Sequence, residues 1–388
     1  MGLGPLLAAR EIVVTCGAGG VGKTTTAAAL GAVAATRLGG RVLVLTVDPA
    51  RRLADALGLT GPGGTGLGNT ERRIDPTLFR AAGAEPRGEL WAAMLDTKQS
   101  WDELIDRHAP DPSVRDAILA NPLYDNITGK FVQSHDYIAM ERLYELHASG
   151  DWDLIVVDTP PSRHALDFLD APARMTEFFG SRLLRWLTVP YRSKLFAAAS
   201  RPFYDVADRI LGSSFLHDIA EFFLLFQTME RGFVARAAEV TRVLSDRRTS
   251  FVVVSTLEAG PLGEARYFLD ALQRRRLALG GVVLNQALPA VLRDPSARTA
   301  ADRLRADPDA AARRLAASGG LAPPPDPIAL ARVLSEIAES FANLALVATR
   351  EAELAGELRV DAPTVLVPSL PNDVADLDGL LAVGDRLW

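Results

Sequence analysis

Eight consecutive residues, Gly17-Ala18-Gly19-Gly20-Val21-Gly22-Lys23-Thr24, carry the pattern GxxxxGK[ST], the spacing that lets a backbone wrap around a phosphate. Its glycines permit a tight turn whose successive N–H groups point inward, and the helix that follows adds the positive end of its dipole. On this pattern the amides of Gly19, Gly20, Val21 and Gly22 face the anion and Lys23 reaches the β- and γ-phosphates. Thr24 offers a hydroxyl to Mg²⁺, and Thr25 contacts the α-phosphate. The flanks agree: Glu11 to Cys16 is apolar and β-branched like a buried parallel strand, and Thr24 to Leu38 reads as helix until Gly39-Gly40 stops it. The expected ligand is a nucleotide.

Hydrolysis needs more than a phosphate loop: a held cation and a water aimed at the γ-phosphate. Two aspartates stand at the ends of apolar strands. Asp158 follows Leu154-Ile155-Val156-Val157, the Walker B arrangement in which a strand-end carboxylate reaches the metal or its waters, and Asp48 follows Leu43-Val44-Leu45-Thr46-Val47. Aspartate is also a common helix N-cap, and both positions admit that role.

The elements that must position these groups follow from apolar periodicity. Short β-rich runs recur at Arg41 to Val47, Glu89 to Leu95, Trp152 to Val157, Ser250 to Ser255, Gly281 to Leu284 and Thr364 to Val367, with helical stretches between them. This predicts an α/β protein with a doubly wound, mostly parallel sheet of the P-loop NTPase kind. Two stretches break the alternation. Thr97 to Ser149 reads as several helices broken at Pro110, Pro112 and Pro122, and Phe168 to Ser245 is aromatic and aliphatic nearly all round. Together they predict an inserted α-helical subdomain, either a closed core or an apolar groove for a partner helix. The expected division is nucleotide domain 1–96, helical subdomain 97–149, nucleotide domain 150–167, helical subdomain 168–245 and nucleotide domain 246–388. Within the last part, Val291 to Ser318 is an Arg/Ala/Asp-rich solvated face, Pro323-Pro324-Pro325 marks a turn, and a helix runs from Ile328 to about Leu354.

Of 388 residues, 48% are apolar and 23% charged, as in a globular chain with a large core, and the net charge of −6 leaves no basic footprint for nucleic acid. The single cysteine, Cys16, excludes an intramolecular disulfide or a thiolate metal site within one chain. With no signal peptide and no run of 18 apolar residues, the expected location is the cytoplasm.

The segment Thr46-Val47-Asp48-Pro49-Ala50-Arg51-Arg52-Leu53-Ala54-Asp55-Ala56-Leu57-Gly58 resembles switch I of the arsenite-pump/tail-anchored-protein-targeting ATPase family, and Asp158-Thr159-Pro160-Pro161-Ser162-Arg163-His164 through Leu169 resembles its switch II. Val283-Leu284-Asn285-Gln286 is similar to the family's adenine-reading asparagine motif, and Val367-Pro368-Ser369-Leu370-Pro371 to its adenine-side loop. The resemblance implies ATP and Mg²⁺ as ligands. It makes Asp48, with Lys23, catalytic, Asp48 by positioning the attacking water; Asp158 and Thr24 hold the metal, and Asn285, Pro368 and Leu370 contact the base. Away from the family, Asn285 reads equally as a strand-end turn residue. Members work as dimers that close on ATP and open after hydrolysis, and their helical subdomains form and break an apolar client groove.

The chain departs from the family in the phosphate loop, and also at Arg163, where switch II usually has glycine, and in its cysteines. The family loop reads GKGGVGKT, and its first lysine crosses the dimer to the partner's nucleotide; here that position is Ala18, and the chain's lysines are Lys23, Lys98, Lys130 and Lys194. A cation delivered in trans to phosphoryl transfer is worth roughly 10³–10⁵ in rate, about 4–7 kcal/mol. The expectation is a heterodimer with a paralogue that keeps GKGGVGKT, against two alternatives: Arg51, Arg52 or Arg163 replaces the lysine, or the chain is a regulatory subunit that binds ATP and hydrolyses little. A homodimer should turn over slowly. The expected partner surface takes an apolar protein segment or a membrane-associated partner. Arsenite extrusion is disfavoured because several cysteines are needed, and DNA partitioning because of the acidic balance, the missing lysine and the long insert.

Overall fold

The computed structural model describes residues 2–47, 51–59, 67–124, 132–160, 213–318 and 326–388, with positions 170, 173, 174 and 177. Eight strands form one sheet: β1 (Ile12–Cys16), β2 (Arg41–Thr46), β3 (Arg72–Arg73), β4 (Glu89–Met94), β5 (Leu154–Asp158), β6 (Thr249–Ser255), β7 (Leu279–Ala287) and β8 (Thr364–Pro368). Their order is β3-β4-β2-β5-β1-β6-β7-β8. Every pairing is parallel except the two-residue β3, which lies antiparallel on β4 at the edge. Every residue of β1, β5 and β6 is buried, which is why these strands read as unbroken apolar runs. The chain leaves β1 toward β2 and returns through β5 to β6 on the other side, so connections diverge at the carboxyl end of β1. In open α/β sheets that is where ligands bind.

Successive strand residues face two different cores, as a period of two requires. Val13, Val44, Val156 and Val254 pack with the helix Lys23–Arg37 and the C-terminal helix Leu377–Leu387. The first of these helices is alanine-rich because it is enclosed: a Cβ on Gly31 would sit 2.4 Å from Val44 Cγ2. A short helix, Gly4–Ala9, lies next to the opposite end of the chain, with Leu3 N donating to Leu387 O at 2.6 Å.

Val14, Leu45, Val157 and Val253 face the other core, which continues into the helices Thr97–His108, Pro112–Ala120, Val132–Ala148, Ser213–Gln227 and Glu230–Ser245. Trp101, Tyr137, Phe226 and Phe233 cluster there with neighbouring ring centroids 5.1–6.3 Å apart. The described part of the insert therefore shares its core with the sheet. Most of 161–212, which holds the Phe178-Phe179, Leu183-Leu184 and Trp186 runs, lies outside the described residues.

The Arg/Ala/Asp-rich stretch forms the helices Pro295–Ala306 and Pro308–Ala317, packed against the long helix Pro327–Glu357. The triproline lies outside the described residues. Each of these three helices starts at an Asp-Pro pair: Asp294, Asp307 and Asp326 accept from backbone N–H groups of the first turn while proline occupies N1. Asp75-Pro76 and Asp111-Pro112 start two more helices in the same way.

Within the helical layer Glu141 is buried, its Oε1 2.9 Å from Arg236 Nε and 3.9 Å from Arg107 Nη1. Burial pushes its carboxyl up to about 7 against the opposing pull of the two arginines. Tyr137, also raised, His108, whose pKa burial lowers, and Glu145, which shares Arg107 with it, are among its titratable neighbours. Because the folded value lies above the unfolded one, Glu141 contributes stability at acid pH that is lost as pH rises through about 7. His108 works in the opposite sense in both chains, so a difference isolates Glu141. Thermal melts of wild type and Glu141→Gln should show the wild-type midpoint falling relative to the variant between pH 5 and pH 8; parallel profiles would rule the assignment out.

Candidate functional site

The phosphate loop leaves β1 under close constraint. Gly17 has φ +153°, and a Cβ there would lie 2.0 Å from Val254 O of β6, so only glycine passes. Gly22, with φ +88°, caps the helix Lys23–Arg37 in the left-handed region, and a Cβ there would lie 2.2 Å from Asn285 Nδ2. Between them the loop folds on itself: Lys23 is buried, and its Nζ donates to Ala18 O at 2.8 Å.

Register brings the acid to the loop. Asp158 at the end of β5 pairs with Thr15 of β1 on one side and Thr46 of β2 on the other. Its carboxylate is fully buried, and Oδ2 accepts from Thr24 Oγ1 at 2.7 Å and from Thr46 Oγ1 at 3.1 Å. Two further hydroxyls stitch the same strand ends: Thr15 Oγ1 donates to Val157 O, and Thr159 Oγ1 to Thr15 O. A hydroxyl and a carboxylate converging beside an anion-binding loop is the donor set a hard divalent cation requires, so Mg²⁺ fits Thr24 and Asp158.

In front of the loop lies a cavity of ≈ 620 Å³. Among the residues expected from the sequence, Gly20, Gly22, Lys23, Thr24, Thr25, Asn285, Pro368 and Leu370 form its wall. Gly19 is exposed on the loop, and Val21 is buried behind it. Asp158 sits under Thr24 rather than in the wall. Asp48 and Arg163 lie outside the described residues, as do the side chains of Arg51 and Arg52. All five described Asp-Pro pairs cap helices, a second role open to Asp48-Pro49 before the helix Arg51–Ala56.

Asp55 and Gln286, which stood in the quoted motifs without a role of their own, also line the cavity, as do Asn372 and Asp373, which sequence reasoning missed. Asn372 and Asp373 directly follow the quoted Pro371, so the polar pair after that loop was the available signal. Gln286 has a φ of +56°, part of an irregularity in the β7–β8 pairing. Cys16 is buried with its thiol pushed up to about 12 by desolvation, as befits a small apolar filler. Among the described residues no group of three or more His, Cys, Asp or Glu could hold a metal by itself, and no helix is long and apolar enough to cross a membrane.

Sheet order, loop and strand-end aspartate define an α/β P-loop NTPase fold. The chain belongs to the family described as anion-transporting ATPases, whose model matches residues 10–307. An uncharacterized protein of Streptomyces coelicolor is 32% identical over 72% of this chain, which spans 63% of that relative's length. The Aquifex aeolicus protein named "Putative arsenical pump-driving ATPase 2" is 23% identical over 70% of this chain and 79% of its own. The ATPase ASNA1 homolog of Trypanosoma cruzi is 26% identical over 73% and 76%.

The two glycines predict different penalties. Gly20→Ala meets nothing within 4 Å and carries only the left-handed backbone strain of about 1–2 kcal/mol. Gly22→Ala adds a collision with Asn285, so its melting temperature should fall further than that of Gly20→Ala; equal losses would show that Asn285 yields freely.

Proposed function

We propose that this chain is an ATP-binding, Mg²⁺-dependent ATPase of dimeric type, a switch that couples nucleotide state to the helical layer, working with a paralogue that carries GKGGVGKT. The observation that carries it is the contact of Thr24 with the buried Asp158 behind a glycine-lined cavity. ATPase names among the relatives support the nucleotide, and the family match supports the class.

Each residue has a role in this proposal. The loop amides bind the phosphates, and Lys23, held on Ala18 O in the structure described, exchanges that carbonyl for a phosphate oxygen. Thr24 and Asp158 would hold Mg²⁺, which would offset the negative charge of the phosphates. Asp48 positions the water, and Asn285, Pro368 and Leu370 form the base side. β5 supplies both Asp158 and, through Ile155 and Val157, part of the surface on which the helical layer packs, a direct route from γ-phosphate to helices. The client is an apolar protein segment or a membrane-associated partner, and the site of action is the cytoplasm.

Ala18 favours a second function, that of a regulatory ATP-binding subunit with little hydrolysis of its own. Turnover separates the two. The purified chain alone should be slow, and mixing with a GKGGVGKT paralogue should raise the rate by orders of magnitude; a mixture no faster than its parts favours the regulatory subunit. Fast turnover alone would instead assign the missing charge to an arginine.

Two substitutions divide binding from chemistry. Lys23→Ala should abolish high-affinity ATP binding in a filter or calorimetric assay. Asp48→Asn should bind ATP normally and lose most turnover; retained turnover removes Asp48 from the mechanism.

A further inference from the structure

Asn285 makes a contact that base recognition does not call for. Its Nδ2 donates to the carbonyl of Val21 at 2.9 Å, joining the end of β7 to the phosphate loop 264 residues away. β6 separates β7 from β1, from which the loop springs, so the side chain reaches across an intervening strand. Three features make room for it. The β7–β8 register shifts between Leu284 and Ala287, and Gln286 takes a positive φ of 56°, a bulge-like irregularity that re-aims the strand end. Val21 is 1% exposed, so the carbonyl's residue is sealed in the core. Gly22 has no side chain to obstruct the amide, which lies where its Cβ would be.

The geometry points to Asn285 as a positioning residue for the phosphate loop, in addition to any contact with a base. The Val21 C=O and the Gly22 N–H share one planar trans peptide and project from opposite edges of it. Fixing the carbonyl on Asn285 therefore fixes the direction of the Gly22 N–H, antiparallel to it, within the loop whose amides the motif assigns to phosphate. An amide oriented before the ligand arrives need not be ordered on binding, which raises affinity without adding a contact to the ligand. Because one Nδ2 hydrogen is committed to Val21, the base is left with Oδ1 and the second hydrogen.

This inference rests on the cavity being a nucleotide site, and its test separates the two. The probes are Mg²⁺ with ATP and Mg²⁺ with inorganic tripolyphosphate, which has the phosphates but no base. Each is titrated calorimetrically into the full chain as wild type, Asn285→Ala and Asn285→Ser, with folding checked by circular dichroism. The tether predicts that both variants lose about tenfold in affinity for tripolyphosphate, the scale of one hydrogen bond, as well as losing affinity for ATP. Loss of ATP affinity with tripolyphosphate unchanged overturns the tether and leaves the nucleotide site standing. Unfolding of both variants also overturns it, since Asn285 would then be a structural residue of the strand end. A wild-type chain that binds neither probe removes the nucleotide site and the tether together.

Discussion

A buried carboxylate organises this protein. Asp158 has no exposed surface, and such a group is tolerated only where donors meet it. Thr24 and Thr46 do so from different elements, one on the helix after β1 and one at the end of β2. Satisfying them requires the ends of β1, β5 and β2 to lie level, which the parallel register supplies. The phosphate loop then opens over the same strand ends, and the cavity forms in front of it. A divalent cation bound there would offset the acid's desolvation penalty by direct attraction.

Ala18 gives the site its particular character. Its carbonyl holds the Lys23 ammonium, and the residue is 6% exposed. Every cis element of the phosphate-loop motif is present in the loop. What alanine cannot supply is a cation to a neighbouring chain. On the proposed function, binding and catalysis need not stand or fall together, because phosphate affinity would come from local amides and the transition-state charge from a partner.

Local chemistry explains what the sequence disclosed. Predicted strands agree with the observed ones to within three residues at each end, because buried parallel strands must be apolar throughout. Loop and strand-end acid were legible for the same reason: each is a fixed spacing on one segment. Long-range contacts were not. The Asn285–Val21 bond joins residues 264 apart, the Leu3–Leu387 bond closes the two ends of the chain, and the edge strand Arg72–Arg73 is too short to show a period. The Arg/Ala/Asp-rich stretch was recognisable as a solvated face, whereas its helix boundaries lay in Asp-Pro pairs that were not used.

The central claim is that the cavity before Lys23 and Thr24 is an adenine-nucleotide site. The most direct measurement is equilibrium titration of ATP and of GTP, each with Mg²⁺, into the purified chain. The account predicts saturable binding of one ATP per chain, with GTP weaker. No saturable ATP binding, or a preference for GTP, would contradict it.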